Sequence, residues 1–324
     1  MIEVIKSDIK NDIEWLEFLR NQYNLFYDYK FLSYNDIFSK GINWHHLKFK
    51  TINNNKTIAI INGCEDYEGD KKKFISCKGV SFGGFLWKKK SDVVDYIKVV
   101  NAFKEYLRKL DFNHCRIHAF PYLYYVMPNE ENEYALLQEG FRTTRNSITN
   151  IVDLSSFDFN SISETKKRAI KKSINKIDID IINVPISNDS FREYYEVLLN
   201  DRDLKSVKPT HSLEELVYLK NYLKDEMILF SAKMDGKIIG ICILFVINES
   251  VILNFYLAAD NKYNKEGVSE FILYKSIEWA KQNNFKLYDI GTSDVNDKLS
   301  EGLFAFKKRF SAHGFLRKTF EIDL

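Results

Sequence analysis

The chain has 324 residues, with 47 Lys and Arg against 45 Asp and Glu, and a formal net charge of +2 excludes a general affinity for polyanions. With 45% hydrophobic and 15% aromatic residues but only 4 Pro and 13 Gly, it is neither disordered nor fibrous and can fill two ordinary cores. Cys64, Cys77, Cys115 and Cys242 are scattered, with no C-x-x-C pair and no His at metal spacing, a usage that fits a reducing compartment. The first residues carry mixed charges and no apolar signal segment, and the longest apolar run, 238–247, falls short of the roughly 20 residues that span a bilayer. A cytoplasmic protein without a transmembrane segment is expected.

In chain order, Ile9–Arg20 reads as a helix with Ile9, Ile13, Leu16 and Leu19 on one side, and the aromatic stretch Leu25–Phe38 as more helix. Two strands, His46–Ile52 and Lys56–Ile61, flank Asn53-Asn54-Asn55, a plausible hairpin turn because Asn tolerates positive φ. A polar loop over Glu65–Lys73 and a short strand over Phe74–Cys77 lead into a Gly-rich segment from Gly79 to Gly84. A helix over Ser91–Leu110, a strand over His114–Phe120, a helix over Glu131–Gln138 and a strand over Ser147–Leu154 complete the first half.

The second half repeats this order. Helices over Asp189–Leu199 and Leu213–Leu223 precede strands Met227–Met234 and Lys237–Val246, joined by the hairpin pair Asp235-Gly236. A strand over Val251–Ala259, a helix over Gly267–Asn283, a strand over Lys286–Ile290, a helix over Leu299–Phe310 and a strand over Phe315–Ile322 follow. The hairpin turns are 181 residues apart (235 − 54), which marks two copies of one unit, residues 1–154 and 155–324. The expected fold class is α/β (α+β): two tandem domains, each a mixed, mostly antiparallel sheet flanked by helices.

The sharpest charge cluster, Lys166-Lys167-Arg168 with Lys171, Lys172 and Lys176, lies on a helical pattern whose apolar face is Ile170, Ile174 and Ile177. Such cations on adjacent turns suit phosphates, whether of a nucleotide-linked precursor or of tRNA, and they equally describe a solvated helix face. His114 and His118, four residues apart on a strand, stand about 13 Å apart and cannot share a metal. No metal site is expected.

Several motifs carry a family resemblance: Ser81-Phe82-Gly83-Gly84 after a strand, Gly140-Phe141 before one, Lys167-Arg168-Ala-Ile-Lys171-Lys172, and Tyr288-Asp289-Ile290-Gly291 followed by Gly302-Leu303, Phe306-Lys307 and Phe310. In this order the chain resembles the Fem-type aminoacyltransferases of peptidoglycan bridges and the FemAB-like acyltransferases, which are built from two GNAT-like domains. The resemblance implies transfer of an acyl or aminoacyl group to an amine or hydroxyl of a cell-envelope glycan or peptidoglycan precursor. It also implies a structural first copy, a catalytic second copy and an acceptor in the cleft between them. The implied co-substrate is acyl-CoA or aminoacyl-tRNA, with no tightly bound cofactor. The implied partners are a nucleotide- or lipid-linked glycan or muropeptide and possibly tRNA, with no DNA.

Acyl transfer needs a proton acceptor and a positive or N–H-rich place for the oxyanion. Lys307 is the candidate for the second role by the resemblance, against the plain reading of a solvated lysine in a Lys-Lys-Arg run. Asp289 at a strand end would orient or deprotonate the acceptor, or cap its loop. Arg168, Tyr256, Ser293 and Asn296 are the candidate substrate-binding residues. Tyr on strands is often simply packed, and Ser/Asx loops look the same without a ligand. Lys262, Lys265 and Gly267 occupy the place where GNAT proteins cradle a pyrophosphate, though with one glycine where the family loop has two. A different class remains open: an RNA-binding or scaffold protein with a degenerate tandem fold, using the Lys166–Lys176 face.

Overall fold

The computed structural model describes residues 1–76 and 78–324, so Cys77, the end of one expected strand, lies outside the described residues. By packing, the chain divides into Met1–Ser147 with Leu316–Leu324 as one unit, and Ile148–Phe315 as the other, where the sequence reading drew one boundary after residue 154.

The first unit contains β1 (Ile2–Lys6), α1 (Ile13–Asn21), α2 (Tyr29–Phe38), β2 (Trp44–Thr51), β3 (Lys56–Glu68), β4 (Lys71–Ser76), β5 (Leu86–Trp87), α3 (Val93–Lys109), β6 (His114–His118), α4 (Glu131–Gln138) and the start of β7 (Arg142–Asp153). Asp12 starts α1 by accepting from the Trp15 amide, and the helix buries Trp15, Phe18 and Leu19. Strands β1 to β4 pair antiparallel in succession, β4 and β6 pair parallel, and Thr319 to Asp323 pair antiparallel with β6. The core under α3 is aromatic, with Phe74 and Phe103 in an edge-to-face pair at 5.1 Å.

The second unit contains the rest of β7, then α5 (Glu164–Ser173), β8 (Asp178–Ile182), α6 (Asn188–Leu204), α7 (Leu213–Leu223), β9 (Met227–Met234), β10 (Lys237–Val246), β11 (Val251–Ala259), α8 (Val268–Gln282), β12 (Leu287–Thr292), β13 (Asp294–Val295), β14 (Lys298–Leu299), α9 (Glu301–Lys308) and the start of β15 (His313–Asp323). Its sheet has the same pairing pattern: β8 to β11 antiparallel in succession, β11 parallel to β12, and β12 antiparallel to residues 149–153 of β7. Both units are therefore mixed, mostly antiparallel sheets flanked by helices, as expected. Buried Phe271, Ile272 and Ile277 seat α8 on its unit's core.

Three expected elements differ. The helix expected over Ile9–Arg20 starts at Ile13 and turns Trp15, Phe18 and Leu19 inward, leaving Ile13 and Leu16 exposed. Glu65–Lys73 is not a loop, because Asp66 faces Lys73 and Glu68 faces Lys71 across β3 and β4, so alternating charges knit a hairpin. The helix expected over Leu299–Phe310 begins only at Glu301, because Asn296 and Asp297 adopt φ of 49° and 62° and turn β13 into β14 first.

A strand-end turn as candidate active site

The parallel register between β11 and β12 runs through Val251/Leu287, Ile252/Tyr288 and Leu253/Asp289 and ends there. Phe255 is skipped in the β10–β11 register, since Ile243 faces Tyr256 and Leu244 faces Asn254, so β11 bulges where the pairing stops. On its other side β12 also carries an extra residue between Asp289 and Thr292, where Gly291 takes φ +87°. Both neighbouring strands thus bulge where their mutual pairing ends.

That end is polar and buried. Asp289 is 0% exposed, and its Oδ1 accepts from Thr149 Oγ1 at 2.5 Å and from the Gly291 amide at 2.6 Å. Lys307, 5% exposed on α9, donates to the carbonyls of Gly291 (2.9 Å) and Thr292 (2.6 Å). The plain reading of Lys307 as a solvated lysine therefore fails: helix periodicity turns it inward while Lys308 and Arg309 stay exposed. Ser293 is also buried. Its amide donates to Ile148 O (2.8 Å), its hydroxyl to Asn150 Oδ1 (2.5 Å), and its carbonyl accepts from the Ser300 amide (2.8 Å). Asn254 Nδ2 reaches the buried Tyr288 hydroxyl at 3.1 Å. Asp289, Ser293 and Lys307 thus come together at one turn, with Thr149 and Asn150 of β7 beside them. Neither Asn150 nor Asn254 was singled out from the sequence, although a polar amide inside an apolar strand was a visible signal.

The remaining candidates fall elsewhere. Asn296 forms the exposed tip of the β13–β14 hairpin. Tyr256 is 3% exposed, and its hydroxyl accepts from the His211 amide and meets His211 Nδ1, both at 3.1 Å. Burial raises the Tyr256 phenol's pKa and pushes the His211 imidazole down to about 4, which keeps that ring neutral. His211 escaped the sequence reading because a lone His before a helix gives no signal.

Arg168 is exposed on α5, and the cations around it are largely engaged. Lys166 is buried against Glu270 (2.6 Å) with its ammonium 4.0 Å from the centre of the Phe306 ring. Lys167 pairs with Glu164 and Lys176 with Glu266, while Lys172 donates to Lys265 O at 2.6 Å. Lys262 and Lys265 are exposed in the turn before α8. Gly267, at φ +74°, begins α8 packed against α5: a Cβ there would lie 3.0 Å from Ala169 O and from Ser173 Oγ. Among the described residues, no group of three His, Cys, Asp or Glu is placed to hold a metal ion, and no helix is long and apolar enough to cross a membrane.

Residues 189–305 match the family model of the acetyltransferase (GNAT) family. No curated protein matches the sequence. Among solved structures, FemX superposes with a TM-score of 0.74 at 12% identity, covering 99% of this chain and 97% of its own. The chain has a Fem-like tandem GNAT fold. L-PGS from Bacillus licheniformis aligns at TM-score 0.62 and 14% identity over 98% and 92% of the two chains. A tandem GNAT protein from the clavulanic acid biosynthesis pathway aligns at 0.60 and 8% over 100% and 98%. Likenesses at such identities show the fold alone.

Within this tandem GNAT fold the two copies carry different strand ends. In the first unit the parallel register of β4 and β6 stops at Ile75/Arg116, and the loop after β4 fills the space. Gly83 N donates to His118 O (2.7 Å), the Tyr27 hydroxyl donates to Gly84 O (2.5 Å), and Phe82 packs on Phe120 and Tyr124. The first turn of α3 is closed by its own Asp92 carboxylate, which accepts from Val94 and Asp95 amides, whereas α8 has no side-chain cap.

Proposed function

We propose that the protein transfers an acyl or aminoacyl group to an amine, or a hydroxyl, of a cell-envelope glycan or peptidoglycan precursor, and that the second unit performs the chemistry. The observation that carries this reading is the buried ammonium of Lys307, held on two carbonyls where β12 parts from β11. An ammonium fixed at a strand end in a site withdrawn from water is suited to a developing negative charge, since it needs no reorganisation as the charge forms. The amine nitrogen attacks the acyl carbonyl carbon, the carbonyl π pair moves to oxygen, and Lys307 stabilises that oxygen. Collapse expels the thiolate or alkoxide of the donor, which takes up the proton lost by the amine.

Asp289 holds the turn in this scheme: its Oδ1 accepts from Thr149 and from the Gly291 amide and so orients the strand end. Ser293 fixes the same turn, and Tyr256 with His211 marks the side of β11 past the bulge where an acceptor would lie. Lys262, Lys265 and Gly267 remain the place for a donor phosphate, which would have to share it with α5. The engaged lysines of α5 weigh against an RNA-binding role for that face, and Arg168 is its exposed exception. The co-substrate is an acyl-CoA or an aminoacyl-tRNA, and the acceptor a nucleotide- or lipid-linked glycan or muropeptide.

A thermal-shift panel of acyl-CoAs, charged tRNA, sugar nucleotides and UDP-linked muropeptides tests the reading. A true ligand at 100 times its Kd adds about 2.7 kcal/mol of stability. Silence from the whole panel, together with no turnover of any acyl donor, would eliminate the transferase assignment.

A further inference from the structure

Asn150 is 0% exposed on β7, and its side-chain amide has one partner, the Ser293 hydroxyl on Oδ1 at 2.5 Å. Its Nδ2 is buried and has no hydrogen-bond partner among the described residues. Exchanging the amide's oxygen and nitrogen would only move the deficit to the other atom, because Ser293 can satisfy one end alone. A buried, unsatisfied amide is costly, and native interiors rarely keep one without a use. The Ser7, Thr57 and Ser231 hydroxyls and the Trp44 ring N–H also lack partners, but the hydroxyls swivel about one bond and Trp44 belongs to the first unit, whereas the planar amide of Asn150 is pinned to the turn that holds Lys307.

The pinning is firm. Ser293 is anchored through its amide to Ile148 O and through its carbonyl to the Ser300 amide, and Ile148 N donates to Asp294 Oδ2 at 2.7 Å. The same turn holds the Lys307 ammonium, through the Gly291 and Thr292 carbonyls. An N–H donor and an ammonium are thus fixed on consecutive residues of one strand end.

We propose that Asn150 is a catalytic residue whose Nδ2–H donates to the carbonyl oxygen of the transferred acyl group, at the turn that also anchors Lys307. This rests on the acyl-transfer reading above. As the acceptor amine forms its bond to the carbonyl carbon, the π pair moves to that oxygen and the Asn150 hydrogen bond shortens; the amide keeps its proton throughout. When the oxyanion collapses, the C–S or C–O bond to the donor breaks and its pair leaves with the donor, which receives the amine's proton. The ligand class is an acyl thioester or ester, engaged at its oxygen.

The test compares Asn150→Ala, Ser293→Ala and the double variant N150A/S293A with the wild-type chain, using whichever acyl donor the wild type turns over. Because the double variant deletes a buried polar pair and its deficit together, its Tm stays within ~5 °C of wild type. Loss of an oxyanion donor lowers kcat about 100- to 1000-fold with little change in KM. Ser293→Ala, which keeps the donor but frees it to swing, loses less. Wild-type kcat in N150A/S293A overturns the assignment while leaving acyl transfer intact. A double variant that does not fold, or melts more than ~10 °C lower, assigns the amide to structure and overturns it also. No turnover by the wild type overturns the transferase reading, and this assignment with it.

Discussion

Lys307 carries a full positive charge into a place only 5% exposed, and the protein tolerates it because two carbonyls of the β12 turn accept its protons. Lys307→Met is expected to lower kcat by about 100- to 1000-fold with a small change in acceptor KM, whereas Lys307→Arg retains part of the rate. Equal kcat in Lys307→Met and wild type would remove the residue from the chemistry. Asp289→Ala removes the oxygen that two donors of the turn share and costs about 1–3 kcal/mol in a urea titration. Asp289→Asn keeps an oxygen for both donors and loses clearly less, so equal losses in the two variants would contradict the capping role. At this scale the sequence disclosed the lysine through its motif and hid the surroundings. The depth of Asp289, the pairing of Thr149 with it and the Asn150–Ser293 contact join residues some 140 positions apart, and only the register of β7 against β12 creates them.

At the scale of elements, long periodic helices and the Asp235-Gly236 hairpin were legible because local preference and tertiary demand agree there. The opening strands of both sheets, β1 and β8, were not. IEVIK and DIDII are five residues each, and charge interrupts their alternation, so only pairing with β2 and β9 makes them strands. The junction of α5 with α8 offers a sharp test. Gly267→Ala adds a methyl 3.0 Å from a backbone carbonyl at a residue with φ +74°, and should destabilise the protein by about 1–3 kcal/mol. If an acyl-CoA is the donor and displaces α5 from this junction, the same substitution would strengthen its binding relative to other ligands. Unchanged stability would show that α5 does not pack on Gly267 in solution.

For the whole molecule, buried imidazoles set the response to acid, since burial lowers His45, His46, His118 and His211 alike. His118 and His211 are both held down to about 4 by burial, below an ordinary unfolded value of about 6.5. The unfolded chain therefore binds protons first, and the stability gained from keeping these rings neutral is complete above about pH 6.5 and is lost as pH falls toward 4. Glu65, lowered to about 2 by the Lys72, His45 and Tyr67 hydrogen bonds that outweigh its burial, extends the loss below about pH 4.5. Urea midpoints across pH 7 to 4 should fall steadily, with a shallower slope in His211→Phe. A flat profile would mean that the rings take up protons as readily in the native state as in the unfolded chain.

The last strand also has a bearing on birth at the ribosome. Thr319 to Asp323 pair with His118 to His114, some 200 residues earlier, and complete the first unit's sheet. Synthesis runs from the N-terminus, so that sheet must wait, one edge uncovered, until the end of the chain emerges, while residues 148–315 are available sooner as one contiguous span. The half made first is thus the half finished last. A stop codon at residue 316 would leave it permanently open at β6, prone to pairing with another nascent chain and to early proteolysis.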